Sequence, residues 1–324
     1  MKSVGLVGLP YSGKSTLFTA LTRSGGTGGK ANMAVVDVPD ERLGVLAEIE
    51  RSKKIVPAKV RFVDVPGGLT AQGIAEFRQM DALCLVVGAF SGASDAPKDL
   101  AALDAELVLA DLASVESGTE KARKRSKGGA KEAAAELPLL EKAQSFLEEE
   151  KPLREVGFDE EQLKTLRGYG FLTLKPWIVV HNVAEGDVST DDRAILISAA
   201  LEAEVAGMDD AEAKELLAGF GIDEPGLDRV ISACYRALDL ITFLTTGEDE
   251  TRAWEVRRGA TAPEAAGAIH SDLERGFIRA EVENYDDLVA SGGWDAAKAK
   301  GLLRVEGKDY VVQEGDVLHI RFAV

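Results

Sequence analysis

The stretch GLPYSGKST, Gly8 to Thr16, fits the pattern G-x-x-x-x-G-K-[ST] of a loop that wraps phosphates. VGLVGL before it reads as a buried strand, and STLFTAL after it opens a helix. Strand before and helix after is the context such a loop requires. Gly8 and Gly13 let the backbone approach phosphate closely. Successive backbone N–H groups and the start of the helix supply positive potential. Tyr11, Ser12, Gly13, Lys14, Ser15 and Thr16 are expected around the nucleotide. Lys14 is expected on the β- and γ-phosphates, and the Ser15 hydroxyl on Mg2+.

Working outward, AKVRFVDVPG reads as a second strand, with Asp64 near its end. A carboxylate there can hold the magnesium shell through water. Gly67 would bend the chain so that its N–H meets the γ-phosphate. DALCLVVGAF, KPWIVVHN (175–182) and RAILISA (193–199) read as three more strands. Strands alternating with helical patterns imply an α/β fold, a mostly parallel sheet covered by helices on both faces. Ligands of such sheets bind beyond the carboxyl ends of the strands. The phosphate loop, Asp64, Asn182 and Ser198 all fall at or just after strand ends, so four segments point to one rim.

HNVAE, His181 to Glu185, stands where GTP-binding proteins carry the base-reading motif N-K-x-D. The Asp of that motif accepts from guanine N1–H and its amino group. Val183 here replaces the Lys and Glu185 the Asp, and the longer side chain cannot keep the same bidentate geometry. Guanine preference is therefore expected to be weakened in favour of ATP. Asn182 can bind the base or brace the phosphate loop. Backbone N–H groups of the ISA segment, at Ser198 and Ala199, would meet the base.

From Pro97 to about Glu150 no strand pattern occurs. Leu100, Leu103, Leu107 and Ala110, then Leu137, Leu140, Gln144 and Leu147, keep narrow apolar spacings. They suggest an antiparallel coiled-coil hairpin turning near Gly128 and Gly129. Its tip would carry Lys121, Arg123, Lys124, Arg125, Lys127 and Lys131. These side chains either solvate a helix end or touch nucleic-acid phosphate. The chain as a whole has 38 basic and 55 acidic residues, a net charge of −17, which argues against general nucleic-acid affinity. It does not exclude a local basic patch.

No run of eighteen apolar residues is present, so no membrane span is expected. No signal-peptide pattern opens the chain, and Cys84 and Cys234 sit in apolar patterns as reduced core thiols would. A cytoplasmic location fits. Three scattered histidines offer no transition-metal spacing. EPGLDRVISACYRALDLITF reads as a helix ending near Leu240. Thereafter TRAWEVRRG, FIRAEVENY and the glycine-punctuated C-terminus read as strands, with a helix capped by Thr261 between them. In VLHIRF, Leu318, Ile320 and Phe322 alternate toward a core. The expected domains are 1–96 and 151–245 as two parts of a nucleotide-binding domain, 97–150 as a helical arm, and 246–324 as a small α+β domain.

Taken together, GLPYSGKSTLFTALT, FVDVPG, ELVLADLASVE, KPWIVVHNVAEGD and VRRGATAPEAAGAIHSDLERGFIRAEV resemble the YchF family of Obg-related ATPases, over nearly the whole chain. The resemblance implies a GTPase-type domain with a helical arm and a C-terminal ubiquitin-like TGS domain. It also implies ATP as ligand or substrate, Mg2+, contact with the ribosome, and a role in translation or stress responses. A monomer is favoured. Departures from the family pattern bear on catalysis. Tyr11 and Ser12 replace an Asn-Val pair whose Asn helps hold an activating potassium ion, which puts potassium dependence in doubt. The family's switch I segment with its magnesium-binding Thr is replaced by the shorter SGGTGGKANMAVVDVPD, and the ligand role does not carry over to Thr27. Gly68 stands where the superfamily has a water-positioning Gln, and Leu85 where the family has a His. Binding with slow or partner-stimulated hydrolysis is the expectation. A nucleotide-gated binding module without useful hydrolysis, and a GTP-binding protein, are the alternatives.

Overall fold

The structure, a computed structural model, describes residues 1–23, 32–65, 68–90, 95–187 and 195–323. In chain order, β1 (Ser3–Gly8) leads through the phosphate loop into α1 (Lys14–Arg23), followed by β2 (Met33–Asp37), α2 (Arg42–Glu50) and the short β3 (Ile55–Val56). Next come β4 (Lys59–Asp64), α3 (Ala71–Phe77), β5 (Ala82–Gly88), α4 (Ala96–Lys127), α5 (Lys131–Glu148) and α6 (Glu160–Leu166). Then follow β6 (Trp177–Asn182), β7 (Ile195–Ile197), α7 (Ala199–Val205), α8 (Asp210–Gly219) and α9 (Gly226–Ala237). The remainder is β8 (Leu240–Thr245), β9 (Thr251–Arg257), α10 (Ala262–Ile269), α11 (Ser271–Arg275), β10 (Phe277–Asn284), α12 (Tyr285–Ser291), α13 (Trp294–Ala299), β11 (Arg304–Glu306) and β12 (Asp316–Phe322).

Two compact units are present. The first comprises Met1–Val36 and Arg61–Val230. Its sheet has the order β2-β4-β1-β5-β6-β7. The pairs β4–β1, β1–β5, β5–β6 and β6–β7 are parallel. β5, ALCLVVG, is buried at every position because it lies between two strands with helices on both faces. Parallel pairing brings the carboxyl ends of β1, β4, β5, β6 and β7 to one rim, as expected.

The arm is built from α4 and α5, joined at Gly128–Ala130, where Gly129 takes φ +87°. The seam differs from its expected composition. Leu103 and Leu107 are fully buried against Val7, Phe77, Leu83 and Leu85, and Leu100 and Ala110 pack on the same cluster. The first half of α4 therefore docks on the sheet. The hairpin core is made by Val108, Val115 and Ala122 against Leu140, Ala143 and Leu147. Sequence spacing reveals an apolar stripe but not its partner, and α4 divides its stripe between two.

The second unit comprises Asp37–Val60 and Ile231–Val324. The sheet order is β11-β10-β12-β8-β9-β3, with β8–β9 and β10–β12 antiparallel and β12–β8 and β3–β9 parallel. Phe243, Val256, Ala262, Ala265, Ala266, Phe277, Val282 and Leu318 form its core. Segment 37–60 is fastened here: Arg42 bridges Asp40 and Glu314, and the Ser52 hydroxyl donates to Gly247 O at 2.7 Å. α9 ends at Ala237 rather than near Leu240, because Asp239 turns the backbone into the left-handed region and Leu240–Thr245 enters the sheet as β8. Thr261 caps α10 through a reciprocal pair with Glu264. Leu318 and Ile320 point inward as expected, whereas Phe322 at the strand end is 44% exposed. Both cysteines are buried thiols.

Candidate functional site

β1 stops at Gly8 because the chain must turn under its own loop. A Cβ at Gly8 would lie 2.5 Å from Ser12 Oγ and 2.8 Å from Val86 O. Ser12 N–H donates to Leu9 O at 3.2 Å and closes the turn. Gly13 takes φ +86°, and a Cβ there would lie 1.9 Å from Asn182 Nδ2. Both glycines are thus demanded by packing. Between them Tyr11 holds φ +66° and is 98% exposed. A bulky residue in the left-handed region is rare, and such outliers gather at ligand sites.

Lys14 and Ser15 begin α1, so the loop amides and the helix N-terminus converge. The Lys14 ammonium is ion-paired with the Asp64 carboxylate from the end of β4. Asp64 is in register with Leu6 of the neighbouring β1, which brings the two charges together. A cleft of about 680 Å³ follows, lined by the loop from Gly8 to Thr16, by Gly68, Leu69 and Thr70, and by Glu106 of α4. Gly67 lies outside the described residues, as does Thr27.

An adjoining cleft of about 730 Å³ shares Tyr11, Gly13 and Thr16 with the first and extends over Phe90, Asn182, Val183, Ala184, Glu185, Ser198 and Ala200. Asn182 is 4% exposed and braces the loop. Its Nδ2 donates to Ser12 O at 3.0 Å, and its Oδ1 accepts from Ala199 N–H at 2.9 Å. One carboxamide therefore ties the phosphate loop on β1 to the turn after β7. Bracing, one of the two roles open to Asn182, is performed by both ends of its carboxamide. The Ala199 amide is engaged in that clamp, and the Ser198 hydroxyl accepts from Leu201 N–H as the N-cap of α7. Val183 is buried, with its N–H on Ile197 O at 2.8 Å, while Glu185 is exposed at the mouth. The neighbouring His181 is half-buried, and that burial holds its imidazole below the usual histidine range.

Among the lining residues that were not anticipated are Phe90, Leu69, Thr70 and Glu106. Phe90 could have been found by the rim rule, since Gly88 of β5 is in register with Asn182. Glu106 had no local signal, because only the docking of α4 on the sheet brings it to the loop. Leu85 is fully buried in β5 and is not among the residues lining the cleft.

Residues 3–110 match a family described as 50S ribosome-binding GTPase. Residues 240–323 match the YchF-GTPase C-terminal family, described as a protein of unknown function (DUF933). Over 358 aligned positions the chain is 43% identical to the ribosome-binding ATPase YchF of Haemophilus influenzae, covering 99% of each. Identity to the Bacillus subtilis protein of the same name is 40% over 363 positions, again with 99% coverage of both. Among solved structures, that of the Schizosaccharomyces pombe YchF GTPase superposes with a TM-score of 0.89 at 31% identity, covering 99% of this chain and 97% of the other.

Proposed function

The chain belongs to the YchF family, and on that premise we propose that it is a ribosome-binding ATPase acting in translation or its response to stress, in the cytoplasm. One observation carries the nucleotide reading: two joined clefts, one floored by the phosphate loop and one by the segment after β6, share Tyr11, Gly13 and Thr16. Their layout suits a triphosphate in the first and a base in the second.

The donor set fits Mg-ATP. Amides of the loop and Lys14 answer the phosphate charge. The Ser15 hydroxyl and the Asp64 carboxylate are oxygen donors of the kind Mg2+ takes, directly or through water. Bound there, the metal would neutralise charge on the β- and γ-phosphates. Binding requires Lys14 to exchange Asp64 for phosphate, and the two groups are already adjacent. Asn182, through Ser12 O, holds the loop in the conformation that leads into the Gly13 and Lys14 amides. At the base, Glu185 is exposed where a guanine-reading Asp would be fixed, and Val183 offers no charge. This supports ATP over GTP, with Phe90 and Tyr11 as aromatic surfaces beside the base.

Calorimetric titration with Mg-ATP and Mg-GTP tests the assignment. ATP is expected to bind more tightly, and Lys14→Ala to abolish both. A tenfold preference for GTP, about 1.4 kcal/mol, would sink the reading of Glu185. Single-turnover hydrolysis with and without ribosomes tests the enzyme: slow turnover that ribosomes stimulate is expected. A second reading, a nucleotide-gated binding module without turnover, is favoured by Gly68 and the buried Leu85, neither of which can orient water. It predicts tight Mg-ATP binding with product formation no faster than background.

A further inference from the structure

We propose that Glu106 is the catalytic residue that orients the attacking water and accepts its proton; this rests on the ATPase reading above. Phosphoryl transfer to water needs charge neutralisation and an oriented nucleophile. Lys14, the loop amides, Ser15 and Asp64 serve the first need. For the second, the usual positions are blank: Gly68 has no side chain, and Leu85 is buried in the sheet. Among the described residues lining the phosphate cleft, Glu106 carries the one carboxylate.

Its setting is that of a positioned group. Leu103 and Leu107, three residues before and one after it, are fully buried against the sheet. Five residues on, Asp111 is buried and takes Arg78 Nη1, Leu172 N–H and Thr173 N–H at 2.8–2.9 Å. α4 is thereby fixed on both sides of Glu106. The Glu106 side chain itself is exposed to the cleft wall shared with Gly68, Leu69 and Thr70, and no described residue pairs with its carboxylate. The Glu106 carboxylate is thus solvent-accessible in the same cleft as the phosphate loop.

In the proposed step the water oxygen bonds to the γ-phosphorus as the bond from that phosphorus to the β–γ bridging oxygen breaks. The bridging oxygen leaves on ADP with the electron pair. The water proton passes to a Glu106 carboxylate oxygen and from there to solvent, releasing inorganic phosphate. A carboxylate near phosphate is tolerated where Lys14 and a divalent metal offset its charge, as with the Asp of protein kinases.

The test is single-turnover ATP hydrolysis by the full chain at saturating Mg-ATP, with and without ribosomes, for wild type, Glu106→Gln and Glu106→Asp, alongside calorimetric Mg-ATP affinities and thermal melts. Positioned general bases contribute about 10²–10⁴-fold. Glu106→Gln is expected to lose at least about tenfold in rate, with affinity changed less than about threefold and melting unchanged. Glu106→Asp, which keeps the base, is expected to fall between. A Glu106→Gln rate within about twofold of wild type overturns the proposal. So does a weakened affinity with an intact saturated rate, which would make Glu106 a binding group. If wild type itself turns over no ATP with ribosomes present, the ATPase reading falls and this proposal with it.

Discussion

Gly13 and Asn182 form one device at the residue scale. The glycine leaves room for the carboxamide that ties Ser12 O to Ala199 N–H. Gly13→Ala would both strain a backbone at φ +86° and drive a methyl group into Asn182. Asn182→Ala is the cleaner probe, because it strands a buried carbonyl and a buried amide. Each stranded group costs about 1–3 kcal/mol. The expected result is a loss of about 2 kcal/mol or more in chemical denaturation and at least about a tenfold loss in Mg-ATP affinity. Asn182→Asp keeps the acceptor for Ala199 but sets a carboxylate against Ser12 O, and should be nearly as damaging. Unchanged affinity in both variants would show that the loop holds its shape without the clamp.

α4 is the element that joins the phosphate cleft to the arm. From Glu106 to Lys127 the helix runs roughly 30 Å at 1.5 Å per residue. Its anchor is Asp111, fully buried. Arg78, the C-cap of α3, donates to Asp111 Oδ1 at 2.9 Å, to Ala110 O at 2.8 Å and to Gly170 O at 3.0 Å. α3 is capped at its N-terminus by Thr70, in the wall of the cleft. The Arg78 fork therefore connects that wall to the helix. Removing one partner of a buried pair typically costs about 3–5 kcal/mol, since the other charge is left uncompensated. Asp111→Asn should lower stability by about that amount in calorimetric melting. A loss below about 1 kcal/mol would mean that Leu103 and Leu107 suffice to hold α4.

At the scale of the whole molecule, the net charge of −17 and the basic arm tip must be reconciled. Half of the tip is internally compensated. Arg123 pairs with Glu141 at 2.8 Å, Lys124 with Glu120 at 2.6 Å and Arg125 with Glu136 at 2.6 Å. Lys121, Lys127 and Lys131 have no carboxylate partner among the described residues, and a contact of the tip with phosphate would draw on them. Reversing these three to Glu should weaken ribosome binding and flatten its salt dependence, by about 0.7–0.9 in log–log slope for each phosphate no longer neutralised. Reversing Arg123 and Arg125 should disturb the hairpin more than the binding slope. Sedimentation with ribosomes over a salt series would measure both. An unchanged slope for the triple variant would leave the tip a solvated helix end.

Local chemistry made much of this protein legible from its sequence. A phosphate loop needs glycines at fixed offsets, and a doubly covered sheet needs continuous apolar strands. The loop, four further strands of the first sheet, the rim they share and the helical hairpin were therefore all readable, as was the family resemblance. The tertiary structure decided what depends on meeting distant partners. Leu103 and Leu107 look like arm residues by spacing, yet they bury against the sheet. Segment 37–60 lies between two strands of the first sheet, yet it packs with the C-terminal unit. Asn182 reads from sequence as a rim residue, and the positions of Ser12 and Ala199 give it a bracing role. Glu106 had no motif around it at all. A helical stripe or a lone carboxylate encodes only its own face, and what that face meets is settled by where the rest of the chain packs.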